Sequence, residues 1–380
     1  MREASHQAGA RAGHQAEAQP GDRAYASVDA LRPLCPIGCN GRGVQDSSIA
    51  SPVSMAEPSI EEQFRLVKRA GVFDCFDRLP LPDQVDTFLA CMDTYGLPVH
   101  TTSWFYEMGT DDHKYADNLR LSARVGASTH NVMVYARHAD GRVVTNDEIV
   151  DCYLRVYDEG TKQGVEPSFE LHTNMWSEDP RRVTPVAEAV MRRGVPFNFT
   201  LDYSHVLYKI GNDEELDVAG MREDVHAGRV VLDPFEPGNL VDEWLALGIV
   251  RWMQVRAAVP NGPRNVWARH DPDAQVAALP RYPSLPVKRG DPGRGILYPF
   301  LKPAPGEWHA PWNAYLLEPT KEVVRKVLAH HHRTPSSQLR FITTEMITLP
   351  DYALNAKFSL IGQNAAIARF IRETWDALPG

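Results

Sequence analysis

No stretch of the 380-residue chain approaches the roughly 18 consecutive apolar residues that a membrane-spanning helix needs, so a transmembrane protein is excluded. The first two dozen residues, MREASHQAGARAGHQAEAQPGDRA, also lack the apolar core of a secretion signal. Basic runs are missing: 40 Lys and Arg stand against 49 Asp and Glu, a net charge of −9, which argues against nucleic acid or an anionic membrane as partner. Cysteine is sparse and odd in number, at Cys35, Cys39, Cys75, Cys91 and Cys152, which suits reduced thiols in a cytoplasmic protein. Cys35 and Cys39 are four apart, but no second Cys/His pair lies near, so a zinc site there is disfavoured. No GxGxxG follows an early strand and no P-loop is present, which removes the best support for a dinucleotide-binding or nucleotide-hydrolysing fold. Residues 1–54 contain no Phe or Trp and are read as a disordered extension, with Met55 a candidate start. A first strand near Ala30–Ile37 has only weak support.

What is present is alternation. From Ile60 onward, amphipathic segments opened by Ser, Asp or Asn and closed by Gly alternate with short apolar runs: SIEEQFRLVKRAG, then VFDCFDRL; PDQVDTFLACMDTYG, then LPVHTTSWF; DDHKYADNLRLSARVGA, then HNVMVYAR. The rhythm continues through SFELHTN, VPFNFTLDYSHV, IVRWMQVRAAV and LRFITTEMI to a last helix, AAIARFIRETWDAL. Seven clear strands and a possible first one, separated by helices, predict an α/β (β/α)8 TIM barrel. It forms a single domain over 55–380, with a doubly wound sheet as the alternative. The rhythm breaks at about 260–312, a Pro-, Gly- and Arg-rich insert after strand 7. Its Trp267, Tyr298, Phe300, Trp308 and Trp312 predict an ordered, lid-like element at the catalytic end of the barrel.

Polar residues at the C-terminal ends of barrel strands face the active site. Glu170 and His172, in FELHTN, are two apart and share a strand face; Asp202 and His205 lie in TLDYSH, Gln254 and Arg256 in WMQVR, and Glu345 in FITTEM. Carboxylates leaving apolar strands are costly to bury unless paired or cation-bound, so Glu170, Asp202 and Glu345 predict a shared divalent ion. A single strand-end Glu serves as well as a cap or ion-pair partner, His205 as a core hydrogen-bond donor, and Gln254 as a floor amide. The oxygen-rich set, with an amide and no thiolate, favours Mn²⁺, with Mg²⁺ or Co²⁺ as alternatives. Such an ion acts as a Lewis acid on a carbonyl, and His172 is the natural base for the acidified C–H. His309, in GEWHAPW, reaches the site if the insert folds over it; a structural loop role is the simpler reading. The run His330–His332 ends a surface helix and interacts with its dipole.

On the Glu of FELHTN, the Asp and His of LDYSH and the Glu of FITTEM, the sequence resembles the xylose isomerase-like TIM-barrel superfamily over about Ile60–Leu378. The resemblance implies Glu170, Asp202 and Glu345 as metal ligands, and implies a sugar isomerase or epimerase as one activity. Where the epimerases carry a strand-seven His, this chain has Gln254. Glu170-x-His172, Gln254 and the insert motifs GRGILYPF and GEWHAPWN are similar to the α subunits of bacterial C-glycoside deglycosidases. That branch implies a metal-dependent lyase acting on a 3-oxo-glucosyl aromatic, partnered by a small β subunit in a hetero-oligomer. It implies metal held by Glu170, Asp202, Gln254 and Glu345, and catalysis by His172 with Glu345. His205, Arg256, Trp308 and His309 are then expected to contact the substrate.

Overall fold

The computed structural model describes residues 32–270 and 290–379, and Arg32–Gly380 cluster as one compact unit. Eight short parallel strands carry the fold: β1 (Ile37–Asn40), β2 (Cys75–Asp77), β3 (Thr101–Tyr106), β4 (Thr129–Val134), β5 (Glu166–Glu170), β6 (Phe199–Asp202), β7 (Val250–Val255) and β8 (Phe341–Thr344). They pair in the order β2-β1-β8-β7-β6-β5-β4-β3. A parallel bridge between Phe76 and Val99 brings β2 to the start of β3, so the sheet is a nearly closed α/β barrel, as the alternation implied.

Several helices form where a side-chain cap predicts them. In α1 (Ile60–Ala70) the Ser59 side chain accepts from the Glu62 amide, Glu61 and Glu62 occupy the first turn, and Lys68 and Arg69 the last. Gly71, at φ 67°, then ends the helix in a left-handed conformation that costs a residue without Cβ nothing. Between α2 (Val85–Tyr95) and β1–β2, Phe64, Phe76 and Phe88 build an aromatic cluster with ring centroids 4.7–5.9 Å apart. The outer ring continues with α3 (Lys114–Arg124), α4 (Asn146–Gln163), whose Thr145 and Glu148 make a reciprocal cap, and α5 (Val183–Arg192). Three short helices follow β6, and the first takes up Ser204–Val206 from the segment read as strand 6: α6 (Ser204–Leu207), α7 (Asp213–Val218) and α8 (Arg222–His226). The barrel then proceeds through α9 (Leu240–Ala246), α10 (Glu318–Arg333) and α11 (Leu360–Asp376).

Two expectations change. The first strand lies at Ile37–Asn40, inside the segment read as extension, with all four residues buried and paired to Cys75–Asp77 on one side and Ile342–Thr344 on the other. A strand buried on both faces needs no alternation and here is only four residues long, so it left no periodic signal. A chain starting at Met55 would lose it. Residues 1–31 lie outside the described residues, as do 271–289 of the insert. His331 is buried, 3.4 Å from Cys35 Sγ and 3.0 Å from Ser337 Oγ, and does not belong to a solvated surface run.

The described parts of the insert brace the barrel mouth. The Asn265 amide donates to the carbonyls of Pro350, Tyr352 and Leu354 at 2.9–3.3 Å, fixing the loop after β8. Gly293 packs so closely that a Cβ there would overlap the Pro350 carbonyl oxygen. Arg294 enters a wholly buried network with Glu178, Glu215 and Lys209, which ties the insert to the loop after β5 and to α6–α7.

Candidate metal centre

One parity of the strands supplies the barrel interior. Thr101 of β3 donates to Asp77 of β2 at 3.0 Å, Asn131 of β4 donates to Glu170 of β5, and Asn40 of β1 donates to Glu345 at 3.0 Å. Because side chains repeat every two residues along a strand, this parity carries Glu170 and His172 to one end of the barrel, with Asp202, Gln254 and Arg256, and Glu345 just past β8. All are at most 6% exposed.

Glu170, Asp202 and Glu345 each place a carboxylate oxygen within 4.8 Å of the others, and so do the ligating atoms of Glu170, His172 and His205. Among the described residues the Glu170 Oε1 atom has no hydrogen-bond partner, and neither end of the Gln254 amide has one. Register puts Gln254 beside Asp202 and Thr343, in the same layer. A buried polar atom without a partner calls for an explanation, and beside a cluster of carboxylates a bound ion or water supplies one.

Arg256 is the cation present. Its Nη2 lies 3.0 Å from Asp202 Oδ2 and 2.9 Å from Glu345 Oε2, and its Nε donates to the Glu345 carbonyl at 2.9 Å. Three carboxylates thus face one guanidinium, which leaves two negative charges uncompensated when all are ionised. Burial pushes the carboxyls of Glu170 and Glu345 well above the ordinary range, reinforced by Asp202 on Glu170 and by Glu170 on Glu345. Burial acts the same way on Asp202, but Arg256 and His205 outweigh it and hold that group well below the usual range. The donor set fits a divalent cation in both charge and chemistry: carboxylate and amide oxygens with imidazole near by. Asp77, next to Asn40, is pushed up to about 7 by burial.

The two histidines lie against each other, ring centroids 4.2 Å apart. His205 Nε2 is 3.2 Å from Asp202 Oδ2, and burial lowers this imidazole to about 4 against the pull of Asp202. His172 Nδ1 donates to the Thr173 carbonyl at 2.5 Å, and burial, then His205, hold the ring neutral well below its ordinary range. Its backbone is fixed through Ser177, which accepts from the His172 amide at 3.0 Å and donates to the Glu170 carbonyl at 2.6 Å. Phe105 sets its ring edge-on to His172 at 5.9 Å and stacks with Tyr135.

Of the residues expected in the site, Glu170, His172, Asp202, His205, Gln254, Arg256 and Glu345 come together. Trp308 and His309 lie in the insert, where their rings meet each other, Trp267 and Phe358, and among the described residues Trp308 Nε1 and His309 Nε2 are buried without a hydrogen-bond partner. The insert's aromatics staple it to itself and to the loop after β8. Asn40, Asn131 and Tyr352 escaped the sequence reading. The two asparagines had a signal in their parity on apolar strands; Tyr352, in a loop, had none.

No family model matches the chain, and no curated protein does. Solved structures share the fold. D-allulose 3-epimerase from Methylomonas sp. in complex with D-allulose is 12% identical, with a TM-score of 0.51, covering 91% of this chain and 99% of that one. An L-ribulose 3-epimerase is 10% identical, with a TM-score of 0.52, covering 90% and 95%. At such identities the likeness is one of fold. No helix among the described residues is long and apolar enough to cross a membrane.

Proposed function

We propose that this barrel is a divalent-metal-dependent sugar isomerase or epimerase that removes a proton from carbon next to a carbonyl. The observation that carries the reading is the buried trio Glu170, Asp202 and Glu345, two negative charges beyond what Arg256 balances, with the Gln254 amide unpartnered beside it. The two epimerases that share the fold, one with D-allulose bound, support a small sugar as substrate.

Glu170, Asp202, Gln254 and Glu345 would hold the cation, with Mn²⁺ favoured over Mg²⁺ or Co²⁺. When bound, it supplies Lewis-acid polarisation of a carbonyl and its neighbouring oxygen. The chain's own residues do the rest. Asn131 and Asn40 orient the two glutamates from behind, Arg256 spends its N–H groups on Asp202, Glu345, Ser204 and His205 and so fixes one wall of the site, and neutral His172 is placed to receive a proton. His205, 3.1 Å from an Arg256 nitrogen, completes the polar wall that sugar hydroxyls would meet.

A second reading keeps the same first step and lets the carbanion expel a group: a lyase that cleaves a 3-oxo-glucosyl aromatic, working with a small β subunit. Gln254 in the strand-seven position and the apposition of His172 to Glu170 favour it. The test is elemental analysis of the purified protein, followed by assays on free ketoses and on a 3-oxo-C-glucoside, with and without a candidate β subunit. Interconversion of a ketose supports the first reading, and release of the aromatic supports the second. Protein that takes up no divalent ion and turns over neither would sink both.

A further inference from the structure

Tyr352 lies on the loop after β8, and its hydroxyl is 3.2 Å from His172 Nε2. The other imidazole nitrogen, Nδ1, is 2.5 Å from the Thr173 carbonyl oxygen, which can only accept, so Nδ1 carries the proton and Nε2 the lone pair. It follows that the phenol O–H donates to Nε2. Both nitrogens of His172 are therefore engaged within the protein, and neither presents a free lone pair to a substrate. The atom at the end of this chain is the Tyr352 oxygen, which keeps its own lone pairs.

The tyrosine is built in from several sides. The Arg256 guanidinium, which also holds Asp202 and Glu345, stacks 4.2 Å from the ring centroid. The His205 ring meets it edge-on at 6.2 Å. Its carbonyl accepts from Asn265 at 3.0 Å, and the neighbouring Asp351 accepts from the Arg294 amide at 2.8 Å, so both described ends of the insert fix its position. At 3% exposure it is no surface ring. This loop residue is held among the groups of the candidate metal centre, though it lies seven positions past Glu345 and on no strand.

We propose that Tyr352 is a catalytic acid–base residue of this site, and that His172 acts through it. The inference rests on the proton-abstraction reading above and deepens it. In the step proposed, the Tyr352 oxygen takes the proton from the substrate carbon as its own O–H proton passes to His172 Nε2. The C–H electron pair becomes the enolate. The tyrosine ends neutral and His172 becomes an imidazolium, still donating from Nδ1 to Thr173. Reversal returns one proton to substrate carbon or oxygen, so no oxidant or other co-reactant is needed. This arrangement gives the insert a second use: it fixes the position of the reacting oxygen.

The test is Tyr352→Phe in the full chain, which keeps the ring under Arg256 and removes only the hydroxyl. With the metal loaded, and on whichever sugar passes the assay above, kcat is expected to fall about 100-fold or more. KM and metal stoichiometry should change less than twofold. Nitrogen-15 NMR of labelled histidine, assigned with His172→Gln, should show His172 protonated at Nδ1 in both proteins, with Nε2 moving toward a free imine nitrogen only in the variant. Should Y352F fail to fold, Asn265→Asp loosens the same loop with the phenol retained, and its loss should again fall on kcat. A Y352F enzyme with kcat within twofold of wild type, a loss confined to KM, or an unchanged Nε2 signal overturns the proposal. A wild type that turns over none of the sugars removes the function and this role together, while the NMR still decides the hydrogen bond.

Discussion

Replacing Arg294 with Met tests whether the insert is held by charge. The Arg294 side chain is 1% exposed and faces Glu178 and Glu215, at 0% and 2%. It donates to Glu178 at 2.8 and 3.1 Å and to Glu215 at 3.1 Å, and its guanidinium lies 5.3 Å from the Tyr208 ring centroid. With Lys209, the four charges balance. Met fills similar volume, so the cavity contribution is small, but two buried carboxylates are left facing one ammonium. Breaking such a pair costs about 3–5 kcal/mol. For a chain of this length the unfolding entropy is roughly 0.7 kcal/mol/K, so Tm should fall by about 4–7 °C in a calorimetric scan at pH 7. Adding Glu215→Gln removes the surplus charge and should restore about half of the loss, a non-additivity of at least about 2 kcal/mol because Glu215→Gln alone also breaks a buried pair. Burial would raise Glu178, but Arg294 and Lys209 outweigh it and hold its carboxyl well below the ordinary range, so its contribution is present above the unfolded value and is lost as pH falls. The gap between wild type and variant should therefore narrow below about pH 4. A Tm within 1 °C of wild type, or strictly additive effects, would refute the claim that this network holds the insert.

Other outcomes follow from the same geometry. Glu170 and Glu345 have folded-state values raised above their unfolded ones, so without metal their contribution to stability is full below the unfolded range and is lost as pH rises. Mn²⁺, which binds their ionised forms, should raise Tm more at pH 8 than at pH 5, and an equal or opposite shift would count against these ligands. Asp202→Asn should lower metal occupancy at least about tenfold by elemental analysis, since it removes the carboxylate that Arg256 and His205 keep ionised. Gly293→Ala forces a Cβ onto the Pro350 carbonyl and should cost about 1–3 kcal/mol, read as earlier proteolytic cleavage near residue 290; unchanged resistance would show that the contact is not needed.

Much of the fold was legible because its causes are local. Ser59, Thr145 and Asn239 cap helices through their own next turn, and the strand-end acids follow a two-residue period that any single strand displays. Glu170, Asp202 and Glu345 could be grouped from sequence because parallel strands of a barrel present corresponding ends to one space. The contacts of Trp308 and His309 with Trp267 and Phe358 were not legible, for the opposite reason: nothing local says where an insert's rings pack.

The sequence alone determined the alternation, the barrel and the set of acids at one end of it, since periodicity and capping act between residues a few positions apart. Only the tertiary structure decided that Ile37–Asn40 is a strand, that Arg294 meets Glu178 across 116 positions, and that Tyr352 donates to His172 across 180. Such contacts exist only once the chain has closed on itself. Burial then makes each unpaired charge or hydroxyl costly, and so selects the partners that no local pattern records.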